Sequence, residues 1–202
     1  MSTQRKPDSP TTLMEKARIR TGWKNRSREI TLEEFANALS SICWRMSLNA
    51  ARNLHQQDFI YENDHQRLGV IREYLLFLMH CADRLMFDAL DRAQRGQFMQ
   101  ALAQDCRRHY RENSTEITGG TERGDTFIEQ TNRRMDEYAA TTFRDRAPGY
   151  DMLRLLGARI QEYMGEDQTN RWVIDQIMDI DGPEIFEVFV KSMDKLKRSS
   201  GF

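Results

Sequence analysis

The sequence predicts an all-α fold, a single-domain array or bundle of six to seven helices around a buried central helix at about 64–91. Three observations carry this reading. Apolar residues recur at three- and four-residue spacing through most of the chain after residue 30. Capping residues and Gly/Pro stops divide those stretches into lengths that suit globular helices. There is no alternating strand pattern of any length, and no self-similarity at roughly 20–50 residues that would indicate a solenoid.

The helices follow in order. Thr31 with Glu34 forms a capping-box pattern opening a helix at about 31–54. Its main apolar face holds Leu32, Phe35, Leu39, Ile42, Cys43, Met46, Ala50 and Leu54, while Trp44 and Leu48 lie on the other side. Two apolar faces place such a helix inside a core or at a subunit interface. After an aromatic connector at Phe59, Ile60 and Tyr61, Asp64 is placed to cap the central helix. Gly96 marks a weak point before a third helix at about 94–112, and NSTEITGGTERG at 113–124 reads as a loop.

Thr126 with Glu129 is a second capping-box pattern, opening a helix to about 146 that turns Ile128, Thr131, Met135, Tyr138, Ala139 and Thr142 inward. Pro148-Gly149 ends it. Helices at about 150–164 and 169–180 follow, the latter carrying Trp172 on its apolar set. Gly182-Pro183 then separates a last amphipathic helix at 184–197, with Pro183 suited to its first turn. Residues 199–202 read as a frayed end, and 31–198 as the helical domain.

Residues 1–30 stand apart as a basic arm, partly disordered or docked. It carries a net +5, so the other 172 residues sum to −6. A disordered tail rarely contains Trp, and Trp23 therefore favours a docked arm. The whole chain, 202 residues with 39 % hydrophobic and 30 % charged content, suffices for one core. His80, Asp83 and Arg84 interrupt its most apolar run at 70–90, leaving nothing near the roughly 18 apolar residues of a membrane span. No apolar leader opens the sequence, so the expected location is cytoplasmic. Only six of the 30 basic residues are lysine, a bias associated with GC-rich bacterial genomes. Cys43, Cys81 and Cys106 are too widely spaced for a metal cluster and read as buried hydrophobes.

Chemistry has one candidate seat. Glu73, His80 and Arg84 project from one side of the central helix, with Asp83 at its edge. A His beside carboxylates suits acid–base work or ligand binding, and a buried ion-pair network explains the same pattern. The paired Glu-x-x-His motifs of a di-iron bundle are not met, and HExxH is absent. Gly119-Gly120 and Gly124 lack the Lys-Ser/Thr of a phosphate loop, and no Gly-x-Ser-x-Gly elbow is present. No catalytic residue, cofactor or metal is implied.

The expected function is therefore a non-catalytic interaction or regulatory protein that self-associates or docks on a larger assembly. Trp23, Trp44 and Leu48 are the interface candidates. One alternative is a pocket for a small molecule, a metal or catalysis, lined by Glu73, His80, Asp83 and Arg84. A second is nucleic-acid binding through the basic arm and the run Arg107–Arg108–His109–Tyr110–Arg111.

Overall fold

The computed structural model describes residues 30–118 and 124–200. The chain is all-α: long helices α1 (Leu32–Gln56), α2 (Asp64–Met86), α3 (Arg92–Thr118), α4 (Gly124–Ala139), α5 (Tyr150–Met164) and α7 (Gly182–Ser200), with the single turn α6 (Val173–Gln176), pack into one body. The basic arm, including Trp23, and residues 201–202 lie outside the described residues.

Helix α2 is the axis. Every residue from Leu68 to Ala82 is buried, on all sides of the helix, because α1, α3, α4 and α5 each lie against it. This explains why its sequence is apolar nearly all round, with a polar stripe that meets neighbours instead of water. Helices α1 and α3 run parallel along one side: Phe35 packs on Phe98, Asn37 donates to Asp105 and Trp44 reaches Tyr110.

The starts of the helices are specified locally. Thr31 and Glu34 make the reciprocal capping box, at 3.1 and 3.0 Å. Asn63, not Asp64, caps α2 by accepting from the Gln66 amide. Asp91 and Gln94 form a further reciprocal pair that the sequence reading passed over, so α3 begins at Arg92 and Gly96 causes no break. The helix also continues to Thr118, through residues that read as loop.

Two later boundaries differ more. Helix α4 starts at Gly124, which puts Thr126 inside it, and it ends at Ala139. Phe143–Arg144 then pairs with Ala147–Pro148 in a minimal hairpin whose turn residues, Asp145 and Arg146, have φ of 51° and 60°. Asp151 holds the approach to this hairpin by accepting from the amide and hydroxyl of Thr142, and Phe143 packs edge-on against Phe186. Two-residue strands are too short to leave an alternating pattern.

The expected helix at 169–180 is instead a 3-10 turn at Gln168–Trp172, then α6, then a π turn at Ile177–Asp181 that runs without interruption into α7. Pro183 is the second residue of α7, but because the helical run is continuous it lies within that run, directly after the π turn, and not at a free helix start. The same rearrangement leaves Trp172 half exposed, beside Arg171.

At Gly69, Tyr163 of α5 packs directly on the backbone of α2. A Cβ there would lie 2.2–2.6 Å from ring carbons of Tyr163. That ring is held in place, since its hydroxyl accepts from Arg72 Nη2 at 2.7 Å and the Arg72 guanidinium stacks on it. Gly69→Ala should therefore cost about 1–3 kcal/mol, as overpacking does. Urea unfolding reads this directly; an unchanged midpoint would mean that the ring can withdraw.

Candidate functional site

The four candidate residues of the central helix take four different partners. Glu73 is fully buried and receives a two-pronged bond from Arg134 of α4, Nε to Oε2 at 2.7 Å and Nη2 to Oε1 at 3.0 Å. Arg134 also donates to Glu137, which accepts in turn from Arg133 and Arg159. Burial raises the Glu137 carboxyl, but hydrogen bonding from Arg133 and the charges of Arg134 and Arg159 hold it below the ordinary range. The guanidinium fork matches the carboxylate plane, so both Glu73 oxygens are satisfied.

His80, two turns on, is only 4 % exposed and stacks on Tyr138 with centroids 5.5 Å apart and planes at 29°. Burial pushes its pKa down from 6.5 to about 4; Asp83 opposes the shift, and Arg84 and Arg95 add to it. The imidazole is neutral at pH 7. Packing beneath a tyrosine accounts for the shift without a ligand pocket. Tyr138 also meets Phe77 edge-on, and burial lifts its phenol far above the usual value.

Asp83 turns away to α3, where Arg95 forks onto both its oxygens, with Nε at 2.6 Å. The Arg84 guanidinium lies over Phe87 and Phe143. Glu73, His80, Asp83 and Arg84 thus share a helix without converging on one ligand position. Asp83 lines the larger cleft described below; Glu73, His80 and Arg84 do not.

Sequence reasoning missed Arg134. It placed Thr131 and Tyr138 of α4 inward, and both are buried, with Ile128 and Met135 partly buried against the core, but it passed over Phe127 and Arg134 and turned in Ala139, which is exposed. The signal was present in the lone buried acid of α2: a carboxylate on an otherwise apolar helix requires a cation on a neighbouring element.

The interface candidates divide as well. Trp44 is 6 % exposed, stacked on His109 of α3 at 6.3 Å and edge-on to Tyr110 at 6.5 Å. Its side of α1 is covered within the chain, and Leu48 is partly buried against the same core. The arginine run of α3 is split in the same way, with Tyr110 buried and Arg108 paired to Asp105. No group of three or more His, Cys, Asp or Glu able to hold a metal occurs among the described residues. One Glu-x-x-His spacing does exist, at Glu62 and His65, but both residues are exposed at the entry to α2, outside the bundle.

Among the described residues, the open surface includes two clefts and the outer face of α7. A cleft of about 510 Å³ lies where α2 gives way to α3, lined by Asp83, Phe87, Leu90, Arg92, Arg95, Gly96 and Met99. A second, about 160 Å³, runs between α1 and α7 past Met46, Ala50, Asp181, Glu184, Ile185 and Val188. Asp181 at its edge accepts from Gln176 at 2.9 Å and from Tyr74 at 3.5 Å, and burial raises its carboxyl. Beside this groove, Glu184, Glu187, Val188, Lys191, Lys195 and Arg198 form an exposed stripe along α7. Among the described residues no helix is long and apolar enough to cross a membrane. Comparison with known proteins finds no family model, curated protein or solved structure that matches this chain.

Proposed function

We propose that this protein is a non-catalytic interaction module that self-associates through α7. The observation that carries the reading is the order of charge on the exposed stripe of that helix. Glu184 and Glu187 occupy its first half, Lys191, Lys195 and Arg198 its second, and Val188, 53 % exposed, lies between.

Such a stripe is complementary to itself when two copies lie antiparallel. With a two-fold axis at Lys191, Glu184 faces Arg198 of the second copy and Glu187 faces Lys195, each twice over. The helix dipoles are also opposed in that arrangement. Lys191 meets its own image, and its repulsion is reduced by the ion pair it makes with Glu187 on the same helix. Val188 and the neighbouring groove past Met46 and Ile185 supply apolar area near the axis. The engagement of Glu73 and Asp83 in two-pronged arginine pairs supports a structural role for the central stripe, and so favours binding over catalysis.

Charge reversal tests this. Lys195→Glu with Arg198→Glu turns four attractive contacts repulsive across the axis, and should weaken the dimer at least about tenfold by sedimentation. Glu184→Lys with Glu187→Lys should do the same. Mixing the two variants should restore association as a heterodimer. If wild type is monomeric at every accessible concentration, or the mixture fails to associate, self-pairing through α7 is wrong.

A further inference from the structure

The cleft at the α2–α3 corner is an aromatic slot, and it lies beside the point where the N-terminal arm joins the body. Its apolar lining is Phe87, half exposed, with Leu90 and Met99, both partly buried, and Arg92 lines it too. Gly96 leaves it open, since a Cβ there would meet nothing within 4 Å. The Arg95 guanidinium sits 4.6 Å from the Phe87 ring centre while its fork holds Asp83. Apolar walls, a thioether and a fixed cation are the surroundings in which an indole is bound best.

The chain's own arm is long enough to carry an indole to this place. Helix α1 starts alongside α3, with Phe35 on Phe98, one residue from Met99 of the slot. Ile30 packs against the core at the same end. Trp23 precedes Ile30 by seven residues, a span of up to about 23 Å when extended. That reach covers the width of two helix diameters. Arg20, Lys24, Arg26 and Arg28 flank the indole in sequence, and Asp88 and Asp91, both exposed, lie between Phe87 and α3. On the larger scale an arm of +5 joins a body of −6.

We infer that this slot seats Trp23 of the chain's own arm. In that arrangement the indole covers Phe87 and Met99, and the basic residues on either side of it reach Asp88 and Asp91, beyond the Arg92 and Arg95 that line the slot. The slot is built by α2 and α3, and α7 contributes nothing to its lining. The inference therefore stands or falls separately from self-association.

Methyl NMR on the full chain, labelled at its methionines, tests it, because Met99 lines the slot while Met79 and Met152 are fully buried reporters of the fold. Trp23→Leu removes the indole ring current, so the Met99 methyl should move while Met79 and Met152 stay in place. Trp172→Leu, on a different surface, should leave Met99 where it is. In a Phe87→Ser background, Trp23→Leu should no longer shift the Met99 methyl. A Met99 methyl unmoved by Trp23→Leu in the otherwise native chain overturns the inference. So does a difference that fades on dilution, which would assign the slot to the arm of a second copy.

Discussion

Replacing Arg134 with methionine should destabilise the protein by about 3–5 kcal/mol, the largest effect we expect of any single substitution. The reason is the carboxylate it leaves behind. Glu73 has no exposed surface, and both its oxygens accept from the one guanidinium. Without Arg134 the charge must be carried unpaired in the core, or neutralised by taking up a proton, and either costs several kcal/mol. The pair as a whole is a different matter. Removing both charges together leaves nothing uncompensated, and well-packed apolar replacements of buried ion pairs are often neutral or better. Glu73→Leu combined with Arg134→Met should therefore recover most of the stability lost in the single variant. Denaturant unfolding of the two single variants and the double variant forms a cycle that measures the coupling. If Arg134→Met alone costs less than about 1 kcal/mol, Glu73 has another route to a partner. Retention of self-association by the stable double variant would further separate this pair from the binding function.

The same pair marks where the sequence could be read and where it could not. Helix class and the burial of α2 follow from patterns confined to single segments: the apolar density of 70–90, the Thr31–Glu34 box and the spacing of Phe35, Leu39 and Cys43. The partner of Glu73 lies 61 residues away, and nothing local to either residue encodes the pairing. Thr131 and Tyr138 were legible as inward positions of α4; Arg134 joins them at the edge of the same face because Glu73 waits there, and that contact is itself tertiary. The π turn at Ile177–Asp181 was illegible for a related reason. Its residues have ordinary helical periodicity, and the extra residue in the turn serves to bring Asp181 under Tyr74 and Gln176. Trp44 shows the converse. Its second apolar face on α1 was legible, but a helix sandwiched within a chain and one sandwiched between chains give the same pattern. Only the placement of His109 and Tyr110 distinguishes them.

Acid should weaken the fold through His80 as pH falls from about 6.5 toward 4. Its pKa is about 4 in the folded protein against 6.5 when free, so between those values the unfolded chain binds a proton that the folded chain refuses. Stability therefore rises with pH through that window and is lost as pH falls through it. The deficit is about 2 kcal/mol at pH 5 and about 3 kcal/mol at pH 4, and above about pH 7.5 it vanishes. The cause is burial beneath Tyr138, with Arg84 and Arg95 adding repulsion and Asp83 opposing it. Carboxylates held low by partners, Glu137 among them, also lose stability in acid, but only nearer their own pKa values. A comparison with His80→Phe, which keeps a ring on Tyr138 and cannot titrate, isolates the histidine. The difference between the two unfolding free energies should be constant above pH 7.5 and tilt in favour of the variant as pH falls to 4. Parallel curves would mean that His80 is solvated in the folded protein.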